Sequence, residues 1–345
     1  MKNIGLIYGG RSNEWEISVI TAIQIMNNWN LNANMIPLFM KDGDLIIPNN
    51  PKSFSSYKVR PAGKTVDFIE GGIQKGHRKL MLSSVIFATH GGEGEDGRLK
   101  GVLSYYSIPY CTASWESMAL CMNKYLFKQY LNGVGIPSVE GYKIRSADVP
   151  SDFPCILKPN RLGSSIGIQV VNSAEEFEEK SRISFSYDEE ILVEKFLTDF
   201  EEYSIATLYD GKDVVFSWIE KQCGYEKFYT FADKYESDAI KTELPAQLSP
   251  LIEDKIKEAV SFIVKDLSLF GVVRTDFLFD RIEEKLYVNE VNTIPGSLAY
   301  RLFMGCGISL GSLINHLAEI GEARKEKKAY YSTGILENYR SGGKK

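Results

Sequence analysis

The chain has 345 residues, and 40 lysine and arginine residues against 45 aspartate and glutamate residues give a formal net charge of −5. This length predicts two or three domains, and the acidic balance argues against a nucleic-acid or anionic-membrane surface. No apolar run approaches the roughly 18 residues of a membrane span and no signal-peptide core is visible, so a cytoplasmic protein is expected. The five cysteines have no C-x-x-C spacing, which predicts reduced, buried thiols rather than disulfides or a zinc site.

The first part of the chain predicts a strand, a glycine turn and a helix, the opening unit of a parallel α/β layer. Residues 3–8 are an apolar run that ends in two glycines, and Ser12 is a candidate N-cap for the helical apolar pattern that follows. Residues 80–89 repeat the strand and again end in glycines. Residues 42–79 have weak periodicity and predict a hairpin or an irregular insert.

The rest of the chain alternates predicted helices and strands around one long aperiodic segment. Helices are expected over residues 113–135, 174–181, 250–267 and 310–320, and strands over residues 155–158, 167–171, 191–196, 271–280 and 285–292. Residues 224–245 are polar, aromatic and aperiodic, which is typical of a functional loop or lid. The tail from Arg324 onward is charged and is expected to fray.

Two segments resemble phosphate-binding motifs but lack features that such motifs need. Gly63-Lys64-Thr65 resembles the end of a P-loop, but Lys58 stands where the first glycine is needed, and no buried strand precedes the segment. Residues 92–97 match G-x-G-x-x-G after a strand, but the carboxylates in this loop would repel a pyrophosphate at its backbone amides. A flexible acidic loop that gates or shapes a site is the favoured interpretation.

The late predicted hairpin carries the strongest chemical signal. If its turn centres on Glu283, Arg274 lies opposite Asn292 and Asp276 lies opposite Glu290, and period-two alternation puts these four on one face. Oxygen ligands at this spacing suit Mg²⁺, and an arginine beside them would bind an anion. The alternative is a solvated face of paired charges.

A second signal is the segment KPNRLGSSIG over residues 158–167, which lies between two predicted strands. Its small residues let backbone amides close over a phosphate while Lys158 supplies a positive charge. The alternative is a simple Gly/Ser turn. Lys124, on the helix upstream, would by itself be interpreted as a surface lysine.

A third signal is the segment GGRSNE over residues 9–14, which places Glu14 at a helix N-terminus. Glu14 would bind a substrate ammonium there, or it would simply favour the helix dipole. His90 follows a predicted strand end, where α/β sheets present ligands, although a lone histidine is more often structural. No Ser/His/Asp or Cys/His pair has supporting context, so covalent catalysis by the protein is not expected.

Taken together and in order, these segments resemble the signatures of D-alanine–D-alanine ligases. The similar segments are GGRSNEWEIS at 9–18, HGGEGEDG at 90–97, KPNRLGSSIG at 158–167, EK at 194–195, RTDF at 274–277 and NEVNTIPG at 289–296. The resemblance runs from about residue 3 to residue 320. It implies the ATP-grasp fold, α/β and α+β in class, with an N-terminal parallel α/β domain. The implied division is 1–112, 113–200, 201–325 with a lid at 224–245, and a charged tail at 326–345.

The resemblance also implies the residues of the site. Those binding ATP would be Lys124, Lys158, Ser165, Glu194, Lys195, Leu197, Glu202 and Lys234, and two Mg²⁺ or Mn²⁺ ions would be held by Asp276, Glu290 and Asn292. The catalytic residues would be Glu14, Ser164, Tyr235, Arg274 and Gly296, and the substrate-binding residues would be His90, Arg301 and Leu302.

The reaction that the resemblance implies is ATP-dependent ligation of two D-alanines through an acyl phosphate, for peptidoglycan precursor synthesis. Tyr235, rather than a histidine, resembles the dipeptide-forming members. Three departures are Trp15 in place of a polar residue, Lys100 in place of a frequent glutamine, and Arg301 in the position that meets the second substrate's carboxylate. Arg301 leaves an alternative open, in which a different second amino or hydroxy acid is joined to D-alanine. The expected partners are D-alanine and ATP, with no nucleic acid or membrane, and a homodimer through the N-terminal domain.

Overall fold

The computed structural model describes residues 1–146, 149–223, 241–324 and residue 335, and its strands form three sheets. The strands of the first sheet are β1 Asn3–Gly9, β2 Asn34–Lys41, β3 Asp44–Pro48, β4 Gly63–Ile69, β5 Gly72–Lys75, β6 Arg78–Met81 and β7 Ser84–Phe87. Their spatial order is β6-β5-β4-β3-β2-β1-β7. β1 pairs in parallel with β2 and β7, whereas β2 to β6 form an antiparallel meander.

The parallel part of this sheet confirms the predicted α/β opening. Residues 42–79 are mostly regular antiparallel strands, which confirms the predicted hairpin and not the irregular insert. The structure corrects one detail: the predicted strand over 80–89 is divided between β6 and β7. The division arises from two backbone hydrogen bonds to different parts of the sheet. The Leu82 N–H donates to the Gly71 carbonyl between β4 and β5, and the Ser83 N–H donates to the Asn3 carbonyl at the start of β1. The chain therefore crosses from one edge of the sheet to the other between these two residues. Residues 63–65 lie in β4, which confirms that they are not a P-loop.

The other two sheets are antiparallel. The second contains β8 Gly141–Ile144, β9 Cys155–Pro159, β10 Gln169–Val171 and β11 Ile191–Lys195, in the order β10-β9-β11-β8. The third contains β12 Phe200–Tyr209, β13 Val214–Cys223, β14 Lys241–Glu243, β15 Gly271–Asp280 and β16 Lys285–Asn292, in the order β14-β13-β12-β15-β16. The hairpin of β12 and β13 was not predicted, because residues 203–209 of β12 are all buried and neither strand has a clean alternation.

The described helices connect and cover these sheets. They are α1 Trp15–Asn27, α2 Arg98–Tyr105, α3 Trp115–Met122, α4 Lys124–Gly133, α5 Ala174–Phe185, α6 Pro250–Asp266, α7 Tyr300–Met304 and α8 Leu310–Ala323. The single helix predicted over 113–135 is divided at Asn123, whose backbone is extended and whose Oδ1 accepts from the Leu126 N–H at 3.0 Å. An asparagine that caps a new helix in this way competes with continuation of the old one. As a result Lys124 becomes the first residue of α4.

The last helix returns to the first sheet. Leu313, Ile314 and Leu317 of α8 share a buried apolar cluster with Ile4 and Leu6 of β1. The close approach requires glycine at position 321, since a Cβ there would lie 1.8 Å from Ser84 Oγ. The C-terminal part of the chain therefore packs on the N-terminal sheet and holds the two ends of the molecule together.

Helix length and cysteine exposure test two further predictions. Among the described residues, every helix is too short or too polar to cross a bilayer. The thiols are free as predicted, and Cys111, Cys121 and Cys155 are buried. Cys223 is only half-buried and Cys306 is exposed, which corrects the expectation of burial for these two.

Candidate active site

A cavity of about 310 Å³ lies between strands of the third sheet, the loops that follow β7 and β9, and the starts of α1 and α4. It is lined by Glu14, Ile17, His90, Gly91, Glu95, Cys121, Met122, Lys124, Gly163, Ser164, Glu220, Gln222, Thr242, Arg274, Glu290, Val291, Asn292, Thr293, Ile294, Pro295, Gly296 and Arg301. The predicted site residues among them are Glu14, His90, Lys124, Ser164, Arg274, Glu290, Asn292, Gly296 and Arg301. Lys234 and Tyr235, together with most of the predicted lid, lie outside the described residues.

The register of β15 and β16 confirms the predicted hairpin, with Arg274 opposite Asn292 and Asp276 opposite Glu290. Asp276 is buried, and Arg274 donates from Nε and Nη2 to its two carboxylate oxygens, both at 2.8 Å. Ser204 Oγ and Asn292 Nδ2 donate to the same carboxylate at 2.8 and 3.0 Å. Burial alone would lower the pKa of Arg274, but the adjacent Asp276 outweighs it and raises that pKa. The cavity wall therefore holds a fixed guanidinium charge.

The oxygen donors of this hairpin suit a hard divalent cation in their chemistry. Glu290 and Asn292 line the cavity, and Glu290 Oε2 lies 3.1 Å from Lys124 Nζ. Asp276 already accepts four hydrogen bonds, the full capacity of a carboxylate, so it would bind a cation only by exchanging one of them. Across the described ranges, no group of three or more His, Cys, Asp or Glu side chains is placed to hold a metal ion. The assignment of all three residues to metal stays a prediction.

Lys124 is held between the glycine-rich segment and the hairpin. Its backbone N–H donates to the Asn160 carbonyl at 2.9 Å, and Asn160 Nδ2 donates to Asn123 Oδ1 at 3.0 Å. Its Nζ donates to the Leu162 carbonyl at 2.9 Å and pairs with Glu290. The start of α4 thus places one ammonium group beside the glycine-rich segment at residues 158–167.

A buried triad of charges lies behind this lysine. Glu194 pairs with Lys158 and, at 2.7 Å, with Lys128, and all three side chains are at most 10% exposed. Burial favours the neutral carboxyl, but Lys158 and Lys128 outweigh it and lower the pKa of Glu194, so the group is ionised at neutral pH. Lys128 was missed from the sequence, although it lies four residues after Lys124 on the same face of α4. The triad carries one net positive charge.

The glycine-rich segment adopts backbone conformations that are costly for its residues. Ser164 and Ser165 have φ values of 55° and 56°, in the left-handed region that non-glycine residues rarely occupy. At Gly167, with φ 72°, a Cβ would lie 2.7 Å from the Tyr187 ring. Ser164 Oγ donates to Glu14 Oε1, which joins this loop to the start of α1. The predicted Glu14 and Ser164 pair is therefore present, and the strained backbone directs Ser164 towards it.

The acidic loop after β7 is fixed by its own carboxylates, which corrects its interpretation as a flexible gate. Glu95 accepts from the Gly91 N–H at 3.0 Å and from the Ile294 N–H at 3.1 Å. Glu93 accepts from the Arg11 N–H at 2.9 Å. Burial raises the pKa of Glu95, and its backbone donors act against this. The loop shapes the cavity wall, and its rejection as a dinucleotide cradle is consistent with these bonds.

Lys100 lies beneath this loop and is fully buried. Its Nζ donates to the Gly94 carbonyl and lies 4.1 Å from the centre of the Phe87 ring. Burial lowers the pKa of Lys100 to about 7, against the opposing effect of Glu95 and Asp96. The lysine that replaces the family's frequent glutamine is therefore a titrating group near neutral pH.

Lys100→Gln is expected to flatten the pH dependence of stability between about pH 7 and pH 10. The folded protein releases the Lys100 proton near pH 7 and the unfolded chain releases it near pH 10.5, so the unfolded state binds more protons in this window. The wild-type free energy of unfolding therefore gains a contribution that rises by up to about 1.4 kcal/mol per pH unit, which the variant lacks. Urea unfolding at several pH values measures it, and parallel curves for the two proteins would contradict it.

Arg301 and Leu302 are consecutive residues of the short helix α7, and their side chains differ in exposure. Arg301 lines the cavity, with its Nη2 on Glu220 and its Nη1 3.5 Å from Thr242 Oγ1. Its side chain is 54% exposed, whereas that of Glu220 is 10% exposed. Leu302 is buried in the apolar core, so its side chain does not face the cavity. Glu220, which sequence reasoning missed, is the fixed partner that orients Arg301.

Three more predicted ATP residues do not line this cavity: Lys195 at the end of β11, Leu197 between β11 and β12, and Glu202 on β12. Lys195 is exposed and pairs with Glu283 in the β15–β16 turn at 2.5 Å. Leu197 packs with Tyr287 in a small apolar cluster. Glu202 Oε1 accepts from Gln222 Nε2 at 3.2 Å.

Comparisons with known proteins agree with this architecture. Residues 3–113 match the family model described as the D-ala D-ala ligase N-terminus, and residues 142–319 match the one described as the C-terminus. The D-alanine–D-alanine ligase of Campylobacter jejuni subsp. doylei is 33% identical over 323 residues, which cover 90% of this chain and 92% of that protein.

Two solved structures share the fold. The D-alanine–D-alanine ligase of Helicobacter pylori is 28% identical with a TM-score of 0.78, over 95% of this chain and all 100% of that one. The VanG D-Ala:D-Ser ligase of Enterococcus faecalis is 25% identical with a TM-score of 0.81, over 92% of this chain and 99% of that one. By its two matching family models and its relatives, the chain belongs to the D-alanine–D-alanine ligase family.

Proposed function

We propose that the protein joins two D-alanine molecules into D-alanyl-D-alanine at the expense of ATP, through an acyl phosphate. One observation carries this most strongly: the Glu14–Ser164 pair, the guanidinium of Arg274 and the exposed Gly296 all line the same cavity. Such a cavity offers a carboxylate for an ammonium group and a guanidinium for an anion, the two ends of an amino acid substrate.

The ATP phosphates are proposed to bind at Lys124, Lys158 and the backbone around Ser165. Lys124 faces the cavity, and the net positive charge of the buried triad behind it supports binding of a polyanion. The proposed residues along the base and ribose are Glu194, Lys195, Leu197 and Glu202. Lys234, from the segment outside the described residues, is a further proposed ATP-binding residue.

Two divalent cations, Mg²⁺ or Mn²⁺, are proposed to be held by Asp276, Glu290 and Asn292. When bound, they would neutralise charge on the phosphoryl group that is transferred. This chain's own contribution at the same place is the guanidinium of Arg274, whose bidentate contact with Asp276 fixes its direction.

The first D-alanine is proposed to bind with its ammonium on Glu14 and Ser164, a group that Tyr235 would complete. Its carboxylate oxygen attacks the γ-phosphorus of ATP as the bond to ADP breaks, which gives an acyl phosphate. The neutral amine of the second D-alanine then attacks the carbonyl carbon, inorganic phosphate leaves, and the amine nitrogen loses a proton. Arg274 and the Gly296 N–H would donate to the oxyanion of the tetrahedral intermediate.

The remaining proposals concern the frame around this chemistry. Since ATP and D-alanine are the substrates, the cytoplasm is the proposed location, and a homodimer through the N-terminal domain is the proposed assembly. The division at 1–112, 113–200 and 201–325 is supported by the three separate sheets, although α8 packs back on the first one.

The proposed reaction is tested by phosphate release from ATP with D-alanine, L-alanine or D-lactate as substrate and Mg²⁺ in excess. D-alanine is expected to give turnover and D-alanyl-D-alanine, with L-alanine and D-lactate near background. Absence of D-alanine-dependent turnover would refute the proposal. Turnover that requires a different second acid would favour the alternative that Arg301 leaves open.

Arg301→Ser is expected to raise the KM for the second D-alanine by about 10-fold, a loss of about 1.4 kcal/mol, with little change in the KM for ATP. The variant removes a carboxylate partner and leaves the nearly buried Glu220 unpaired beside the substrate's carboxylate. The matched control is Arg301→Ser combined with Glu220→Gln, which removes this repulsion and should recover part of the loss. Equal changes in both KM values would show that Arg301 does not face the second substrate.

A further inference from the structure

The turn that follows Gly296 has an unusual backbone. Ser297, Leu298 and Ala299 have φ values of 51°, 54° and 47°, so three consecutive non-glycine residues are left-handed. L-residues disfavour this conformation strongly and rarely adopt it in succession. Local bonding supplies two restraints: the Leu298 N–H donates to the Pro295 carbonyl at 2.9 Å, and the Tyr300 N–H donates to the Ser297 carbonyl. The direction of the Gly296 N–H depends on this turn, so the strained turn needs further contacts to hold its conformation.

A chain of hydrogen bonds reaches the turn from helix α1. The Ser297 N–H donates to Thr21 Oγ1 at 3.1 Å, and Thr21 Oγ1 lies 3.0 Å from His90 Nε2. His90 Nδ1 lies 2.9 Å from the Ile294 carbonyl. Thr21 is fully buried and His90 is 5% exposed, so water does not compete for these groups.

The donor and acceptor groups determine the direction of every hydrogen bond in this series. The Ile294 carbonyl only accepts, so His90 Nδ1 must carry a proton. Burial lowers the pKa of His90 to about 4, so the ring is neutral and its Nε2 accepts. Thr21 must then donate its hydroxyl proton to Nε2, which leaves its oxygen to accept from Ser297. Each donor meets one acceptor, and neither ring nitrogen is left for a substrate.

We propose that Thr21 is a positioning residue for the ligation step: with His90 it clamps both sides of Gly296, at Ile294 and Ser297, and so aims the Gly296 N–H into the cavity. This inference rests on the proposed function, in which that N–H meets the oxyanion. It also gives His90 a positioning role instead of a direct contact with substrate. Neighbouring bonds agree, since Ser12 Oγ donates to the His90 carbonyl and fixes the histidine's own backbone.

The kinetic test compares Thr21→Val, which removes the hydroxyl and keeps the shape, with Thr21→Ser, which keeps the hydroxyl. Thr21→Val is expected to lower kcat by about 10- to 100-fold, since misdirection of an oxyanion donor is costly, while the KM for ATP changes less than about 2-fold. Thr21→Ser should recover most of kcat. The matched control is Thr207→Val, because the Thr207 hydroxyl is equally buried and has no hydrogen-bond partner within the described residues.

A second readout does not depend on activity. Amide hydrogen exchange of the peptide around residues 294–299 is expected to speed up by about 5- to 10-fold in Thr21→Val, since the Ser297 N–H loses its acceptor, and not in Thr21→Ser or Thr207→Val. Wild-type inactivity with D-alanine would refute the proposed function while this exchange still tests the clamp. Unchanged exchange, a Thr21→Ser variant as impaired as Thr21→Val, or a parallel rise in the KM for ATP would overturn the inference.

Discussion

Glu290→Gln is expected to lower kcat by about 10³-fold while the fold remains intact. Glu290 lies directly opposite Asp276 on the β15–β16 hairpin, lines the cavity, and pairs with Lys124 at 3.1 Å. The substitution keeps the size of the side chain and removes its charge. It therefore weakens the binding of a divalent cation at this hairpin and removes the ion pair that holds Lys124 beside the glycine-rich segment. Both changes act on the charge that develops during phosphoryl transfer.

Three measurements separate this chemical effect from a general one. Urea unfolding should differ little from wild type, since the Glu290 side chain is 26% exposed and its loss leaves no isolated charge in a dry core. Titration of Mn²⁺ in the presence of ATP should show weaker binding. Glu284→Gln is the control, because Glu284 is an exposed carboxylate in the turn of the same hairpin. Near-normal turnover of the Glu290 variant would contradict both the metal assignment and its role in phosphoryl transfer.

The hairpin was predictable because its information is local. Two strands joined by a short charged turn have a register that counting from the turn reveals, and period two then assigns the faces. The observed turn pairs Asp280 with Lys285, so a plain count from it would place Asn289 opposite Asp276. A bulge between Asp276 and Phe277 shifts the register by one residue and brings Glu290 opposite Asp276 and Asn292 opposite Arg274, the same pairing that a turn centred on Glu283 predicts. The predicted loop at 158–167 also depends on neighbouring residues alone, and it was found in place.

What the sequence did not reveal depends on distant contacts or on a competing local preference. Thr21 and Ser297 are 276 residues apart along the chain, and no spacing rule connects them. Lys128 is an ordinary helix residue until β11 delivers Glu194 to it. Asn123 interrupts a pattern that reads as one helix, because its side chain caps α4 instead of continuing α3. Burial of Lys100 likewise follows from the packing of α2 against the loop after β7, which composition does not encode.

The buried triad of Glu194, Lys158 and Lys128 predicts a large effect on stability. Glu194→Gln is expected to lower the free energy of unfolding by about 3–5 kcal/mol, the usual consequence of leaving buried charges without their partner. Glu194 is 5% exposed and neutralises part of the charge of Lys128 and Lys158, whose side chains are 6% and 10% exposed. The amide of the variant fills the same space but leaves two buried ammonium groups with no counter-charge between them.

Charge, and not volume, should explain the loss, and a second substitution tests this. Lys128→Met combined with Glu194→Gln removes one of the two uncompensated cations, so urea unfolding should show that it recovers part of the stability lost in the single variant. Glu283→Gln breaks only an exposed pair and should change stability little. If the double variant is the less stable of the two, uncompensated charge does not explain the loss, and the triad is not held together by charge.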